Sequence, residues 1–274
     1  MFKKKIAVLL SSTILVGSLA VGCGSSSESN GDKITMSGST SVGPVVEILA
    51  QDFQSKNEGV SIEVQQLGSS AGIKNAIDGT SQIGMASRDL KDEEKQAGLK
   101  ETEIALDAIA VITNKSNEVK DLSIEQIKDI YTGKITNWKE VGGKDAPIVV
   151  ISREDGSGTR GAFEEIVGFE ADELTQDAQI SDGSGNIKST VEGNENAIGY
   201  ISSSYVDDKV KQLTVEGQEL TVENVKDKKY PLARTFLLVS KEENITEKGN
   251  EFVEFILSEE GQKIVEGEGL ISIK

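Results

Sequence analysis

Residues 148–165 read IVVISREDGSGTRGAFEE: an apolar run, a turn of glycine, serine and threonine with Arg153 and Arg160 on either side, then a helical pattern. The spacing of Gly156, Gly158 and Gly161 satisfies G-x-G-x-x-G, so a dinucleotide is the first guest to weigh. A dinucleotide fingerprint opens its domain, sets its first glycine close to the strand end, and is followed about 20 residues on by an acid at the tip of the next strand. Here Arg153, Glu154 and Asp155 intervene before the first glycine, and the stretch leading to Asp182 is acidic rather than cleanly helical. A Walker loop fails outright, because G-x-x-x-x-G-K is absent. What remains is a strand, a small-residue turn and a helix start, which offers unpaired backbone N–H groups and the positive end of a dipole to an anion.

The same grammar recurs along the chain. KITMSG leads into GPVVEILAQDF, where Val45, Ile48, Leu49 and Phe53 fall on one helical face and Pro44 suits the first turn. VSIEVQQLG leads into SSAGIKNAIDG, and SQIGMAS into RDLKDEEKQAG. After the opening loop, Ala162, Phe163, Ile166 and Val167 share a helical side. Short strands alternating with helices, with no fixed repeat, predict an α/β protein with mostly parallel sheets flanked by helices. In such sheets the strand-to-helix turns lie where ligands bind. Serine and threonine are also the favoured N-caps, so any one of these junctions taken alone reads better as an ordinary cap. Four of them, one flanked by arginines, point to a site.

Composition narrows the chemistry. The 274 residues carry a formal net charge of -17, and without the first 22, which hold Lys3, Lys4 and Lys5 and no acid, the balance is -20. Such a surface repels nucleic acid and anionic lipid. There is no histidine and one cysteine, which removes histidine triads, most zinc sites and any intramolecular disulfide. The start of the chain has a lysine cluster, an apolar run from Ile6 to Ala20 that is short for a membrane span, and small residues before Cys23. AVGC resembles the bacterial lipobox, with Ala20 where leucine is commonest. That resemblance implies a signal peptide over 1–22 and Cys23 as the lipidated first residue of an exported protein, held on the extracytoplasmic face of the cell membrane. The Gly/Ser-rich 23–32 reads as a flexible tether.

A single small oxyanion suits the four junctions. Burying a bare dianion costs tens of kcal/mol in the idealised limit, so many donors must converge on it. Charge-assisted hydrogen bonds give roughly 1.5 to 3 kcal/mol each. The overall acidity does not oppose this, since charges beyond about 8 to 10 Å are largely screened at physiological salt.

GSTSVGPV, LGSSAGIKNAIDG, IGMASRDLK, IYTGKITNWKEVGG, SREDGSGTRGAFEE and NAIGYIS occur in that order over nearly the whole mature chain. Together they resemble the substrate-binding lipoproteins of Pst-type phosphate ABC transporters. The resemblance implies a two-lobed periplasmic-binding-protein fold with a ligand cleft between lobes joined by two crossover segments. Lobe I would comprise 33–112 and 232–274 and lobe II 113–231, with crossings near Thr113 and Leu232. It further implies capture of inorganic phosphate and delivery to a permease and its ATPase by a monomer that is not an enzyme, needs no cofactor or metal, binds no nucleic acid and touches the membrane only through its anchor.

Site residues carry over by motif: Ser39, Thr40 and Ser41 from GSTS, Ser69 from GSSAG, Ser87 and Arg88 from GMASRDL, and Arg153, Ser157, Gly158 and Thr159 from the opening loop. Asp155 matches an acid that holds the arginine in place, and Arg160 reads as a solvated helix residue. Ser87 stands where some family members carry an aspartate that accepts the proton of phosphate. A hydroxyl both accepts and donates, which softens discrimination against sulfate; Arg88 could add a positive contact, or Asp89 the acceptor.

Other readings stay open on the sequence: a different tetrahedral oxyanion such as sulfate or molybdate, a histidine-free serine hydrolase or phosphatase using Ser69 or Ser157, or an adhesion lipoprotein. DGSGN, Asp182 to Asn186, lacks the full acidic spacing of a calcium loop. Trp138 is expected in the core, and NEFVEFILSEEGQKIVEG, with Phe252, Val253, Ile256 and Leu257 on one side, as a single helix.

Overall fold

The computed structural model describes residues 32–274; the expected signal peptide, the Cys23 anchor and all of the tether but its last residue lie outside the described residues. The described chain opens with β1 (Lys33–Gly38), α1 (Gly43–Lys56), β2 (Ser61–Gln66), α2 (Ser69–Asp78), β3 (Ile83–Ala86), the single turn α3 (Asp92–Lys95) and the long β4 (Lys100–Thr113). Next come β5 (Asp121–Leu122), α4 (Ile124–Tyr131), β6 (Val149–Arg153), α5 (Gly158–Val167), β7 (Gln179–Ser181), α6 (Gly183–Glu192), β8 (Ala197–Ser202), β9 (Lys211–Gln212), β10 (Thr214–Val215) and α7 (Val222–Lys226). The chain returns through β11 (Ala233–Ser240) to α8 (Glu247–Leu257) and α9 (Glu259–Gly267).

One strand order, β2-β1-β3-β11-β4-β8-β6-β7, runs through both lobes, with β9 added beside β4. Helical crossovers force β1 to lie parallel to β2 and β3, and β6 parallel to β7 and β8. Every antiparallel strand pair among the described residues instead involves β4 or β11. β4 exchanges β11 for β8 between Ala108 and Ile109, short of Thr113, and β11 leaves the exchange at Ala233, next to Leu232.

Each sheet buries both faces. In lobe I, Ile34, Met36, Leu49, Phe53, Phe236 and Phe252 fill one side, and Ile73, Ala76, Leu237 and Val239 the other. In lobe II, Tyr131, Trp138, Phe163 and Tyr200 pack one side, and Ile112, Ile151, Ile187 and Ile201 the other. Trp138 is 2% exposed, and its Nε1 donates to the Asn196 carbonyl at 3.0 Å, as its expected core position requires. α2 lies so close to β1 that a Cβ on Gly72 would fall 2.4 Å from the Gly38 Cα, which only glycine permits.

Two helices differ from expectation. The C-terminal segment is broken at Ser258, whose extended backbone (ψ 166) and Oγ, accepting from the Gly261 amide at 3.1 Å, end α8 and cap α9. The helix expected in RDLKDEEKQAG shrinks to Asp92–Lys95. Glu94 there folds back to the Lys91 amide and the Arg88 guanidinium.

Candidate functional site

The ends of β1, β3 and β6 and the starts of α2 and α5 meet between the lobes. Only one of the junction hydroxyls caps a helix in the ordinary way: Ser157 Oγ accepts from the Arg160 amide at 3.3 Å. α1 and α2 begin without a side-chain cap, so the hydroxyls of GSTS and GSSAG are free for other work. Ser39 Oγ accepts from the Ser41 and Val42 amides, at 3.1 and 3.3 Å, and donates to Ser87 Oγ at 2.9 Å. Ser69 Oγ accepts from the Ser87 amide at 3.1 Å and lies 3.4 Å from Ser87 Oγ. From lobe II, Thr159 Oγ1 reaches Ser41 Oγ at 2.9 Å, and Arg153 Nη2 donates to Thr40 Oγ1 at 2.8 Å. The Ser70 amide donates to the Gly156 carbonyl at 3.1 Å, and the Tyr205 hydroxyl to the Thr40 carbonyl at 3.1 Å. Gly158 sits directly against Ser69 and Ser87. Thus nine expected residues converge: Ser39, Thr40, Ser41, Ser69, Ser87, Arg153, Ser157, Gly158 and Thr159.

Arg153 is 1% exposed, and its Nη1 has no hydrogen-bond partner among the described residues. Burying an unpaired charged donor is costly, so this nitrogen is suited to an anionic acceptor. Tyr200 props the arginine from below: its hydroxyl accepts from the Arg153 amide at 3.2 Å and shares a hydrogen with Ser152 at 2.8 Å. Burial pushes the Tyr200 hydroxyl up to about 12, so it stays protonated across the biological range.

Three expectations are corrected. Arg153 is held by Glu154, not Asp155: both Glu154 oxygens accept from its guanidinium at 2.7 Å, while Asp155 points into solvent, 3.9 Å from Arg160. Arg88 does not join the hydroxyls. Its Nη1 and Nη2 pair with Glu94 at 2.7 and 2.8 Å and also reach the Asp89 carbonyl and Ser70 Oγ, so Glu94 neutralises it at the cleft's outer edge, while Asp89 is exposed. Arg160 is not solvated either; it binds Glu164 at 2.6 Å and donates to the carbonyls of Arg153 and Ala171.

Sequence reading also missed Arg234 and Asp107, buried on the crossover strands and paired at 2.7 Å, and Tyr205. One signal was available. Only four arginines occur in the chain, at 88, 153, 160 and 234, and all four line or underlie the interlobe face with a carboxylate each. A planar fork that keeps its charge when buried is what such positions need, and lysine does not supply it.

Burial alone would raise the Glu154 carboxyl, but hydrogen bonds and charge from Arg153 outweigh it and hold the group below its ordinary value. A carboxyl depressed in the folded state stabilises the fold above its unfolded pKa and loses that contribution as pH falls through the folded one. Urea denaturation should therefore find wild type more stable than Glu154→Gln at pH 7, with the gap closing below about pH 4.5. A gap independent of pH would show that the carboxylate does not carry the pairing.

Strand ends and helix starts that meet through hydroxyls around one buried arginine are the arrangement of a small-solute binding site. A family model described as "PBP superfamily domain" matches residues 24–260. The phosphate-binding protein PstS of Bacillus subtilis is 33% identical over 99% of this chain and 94% of its own. A crystal structure with bound phosphate from Clostridium perfringens, of a candidate phosphate ABC transporter substrate-binding protein, is 69% identical, with a TM-score of 0.87 over 89% of this chain and 100% of that one. An ABC-type phosphate transport receptor from Vibrio cholerae is 36% identical, with a TM-score of 0.78 over 87% and 99% of the two chains. The chain belongs to the PBP superfamily and, within it, to the family of the PstS phosphate-binding proteins.

Proposed function

We propose that this protein captures inorganic phosphate on the extracytoplasmic face of the membrane and hands it to an ABC transporter. The observation that carries the reading is the buried Arg153 Nη1, without a partner among the described residues, beside hydroxyls from both lobes. A tetrahedral anion of four oxygens matches that donor set, and the names of the relatives point the same way. In this reading Ser39, Thr40, Ser41, Ser69, Ser87, Arg153, Ser157, Gly158 and Thr159 contact phosphate, and Glu154 holds the arginine. In this reading the lobes divide at 108/109, where β4 changes partners, and at 232/233, where β11 begins, rather than at 112/113 and 231/232. Cys23 carries the lipid, the chain acts as a monomer on a permease and its ATPase, and it performs no catalysis.

Ser87 leaves the hydroxyl cluster without a carboxylate acceptor, a specific reason to keep a second oxyanion in view. Titration calorimetry at pH 7 with phosphate and with sulfate tests both. Saturation of one site by phosphate, with sulfate weaker, is expected. Absence of phosphate heat from folded protein would remove the reading, and tighter sulfate binding would transfer it to sulfate.

A further inference from the structure

Asp107 and Arg234 face one another in the register of β4 and β11, at the point where β4 changes lobes. Both are buried, at 0% and 7% exposure. Asp107 Oδ2 accepts from Arg234 Nε at 2.8 Å and Nη2 at 2.7 Å, which leaves Nη1 to donate to the Ser87 carbonyl at 3.1 Å. The other oxygen, Oδ1, accepts from Ser202 Oγ at 2.9 Å, the Ser203 amide at 3.2 Å and Ser203 Oγ at 2.8 Å. The pair thus grips a strand end in each lobe.

Stability alone is a poor reason for such an arrangement, since an apolar pair of similar volume usually stabilises a core as well or better. The connections leading outward suggest another use. Ser203 opens a single 3-10 turn, Ser203–Tyr205, and Tyr205 donates its hydroxyl to the Thr40 carbonyl across the cleft. Thr40 in turn accepts from Arg153. A continuous path therefore runs from the Ser87 carbonyl through Arg234, Asp107 and Ser203 to the one tyrosine that ties lobe II to the GSTS corner.

We propose that Asp107 and Arg234 are positioning residues for phosphate retention: the hinge ion pair sets Ser87 and, through Ser203, the Tyr205 latch, so that the hinge governs how long the closed cleft holds its guest. This rests on the phosphate reading above. Both Asp107 oxygens and all three Arg234 nitrogens are engaged by protein partners. Their effect belongs to the dissociation rate, because the latch exists only once the lobes have met.

The test is a double-mutant cycle on the full chain, with release and uptake of radiolabelled phosphate followed over time. Tyr205→Phe and Ser203→Ala should each raise the dissociation rate about three- to tenfold, the value of one hydrogen bond, with association unchanged. Combined, they should do no more than either alone, because both break one path. Asp107→Asn, if it folds, should join the same class, and if it does not, the Ser203/Tyr205 cycle decides. Rates that multiply in the double variant, or that move with neither single change, overturn the relay. A purely structural role would lower thermal stability without splitting release from uptake. Should wild type hold no phosphate, it is the binding reading that fails. Small-angle scattering then judges the relay, which requires both single variants to open the lobes to the same extent and the double variant no further.

Discussion

Arg153→Gln should weaken phosphate binding by about 100- to 1000-fold, the loss of one or two charge-assisted hydrogen bonds in a site that excludes water. In the folded protein Nε and Nη2 are committed to Glu154, Nη2 also serves Thr40, and Nη1 alone remains for a guest. Glutamine cannot reach the same three partners, and it carries no charge. It also leaves the Glu154 carboxylate, 22% exposed, beside the anion site with no cation to neutralise it. The two anions would then repel each other, unless Glu154 binds a proton first. Arg88→Gln is the control, because Glu94 accepts from both of its terminal nitrogens and its one hydroxyl contact, to Ser70 Oγ at 3.2 Å, lies outside the nine convergent residues. That change should leave the affinity within about threefold, as expected for a paired charge away from the guest. Calorimetry on both variants, with circular dichroism to verify folding, separates the outcomes. Equal losses would mean that the cleft responds to its overall field rather than to one aimed nitrogen.

The positions of these residues were legible in the sequence to different degrees, for physical reasons. Strand-turn-helix junctions show as local patterns, because period-2 and period-3.6 runs are set by neighbours in the chain. For that reason the corners carrying Ser39, Ser69 and Ser157 could be read directly. Which acid holds which arginine is not local in that sense. Glu154 and Asp155 are adjacent, and the choice between them depends on where the end of β6 aims each side chain, Glu154 inward, where the Gly183 amide also reaches it, and Asp155 into solvent. The same holds for Arg88, whose neighbourhood offers Asp89, Asp92, Glu93 and Glu94, of which Glu94 alone takes the guanidinium. In β4 the apolar run from Ile104 onward is plain in the sequence, but the strand already begins at Lys100, and its polar opening residues, KETE, pair with β11, which no local signal announces. The break at Ser258 was legible in principle: a serine followed by Glu259 and Glu260 is an N-terminal signature inside what otherwise looks like one helix.

Gly158→Ala should abolish tight binding while sparing the fold. Gly158 is the first residue of α5 and its φ lies outside the left-handed region, so the backbone accepts alanine, which even favours the helix by up to about 1 kcal/mol. The obstacle lies across the cleft. A Cβ there would fall 2.0 Å from Ser69 Oγ, 2.6 Å from Ser87 Oγ and 2.8 Å from Ser69 Cβ. Rotating the Ser69 hydroxyl away removes the first clash but leaves the last, because Cβ is fixed by the start of α2. The lobes would have to part, separating Thr159 from Ser41 and Arg153 from Thr40. Overpacking costs of about 1 to 3 kcal/mol, added to the hydrogen bonds lost, predict an affinity at least about 100-fold weaker. Thermal stability without phosphate should be unchanged or slightly higher, since opening relieves the clash. Gly161→Ala on the same helix meets only the Arg88 side chain, Cδ at 3.1 Å and Nε at 3.7 Å, and should bind nearly as wild type does. If Gly158→Ala bound phosphate at wild-type strength, the hydroxyls of Ser69 and Ser87 would not close against α5, and the guest would have to be held by one lobe alone.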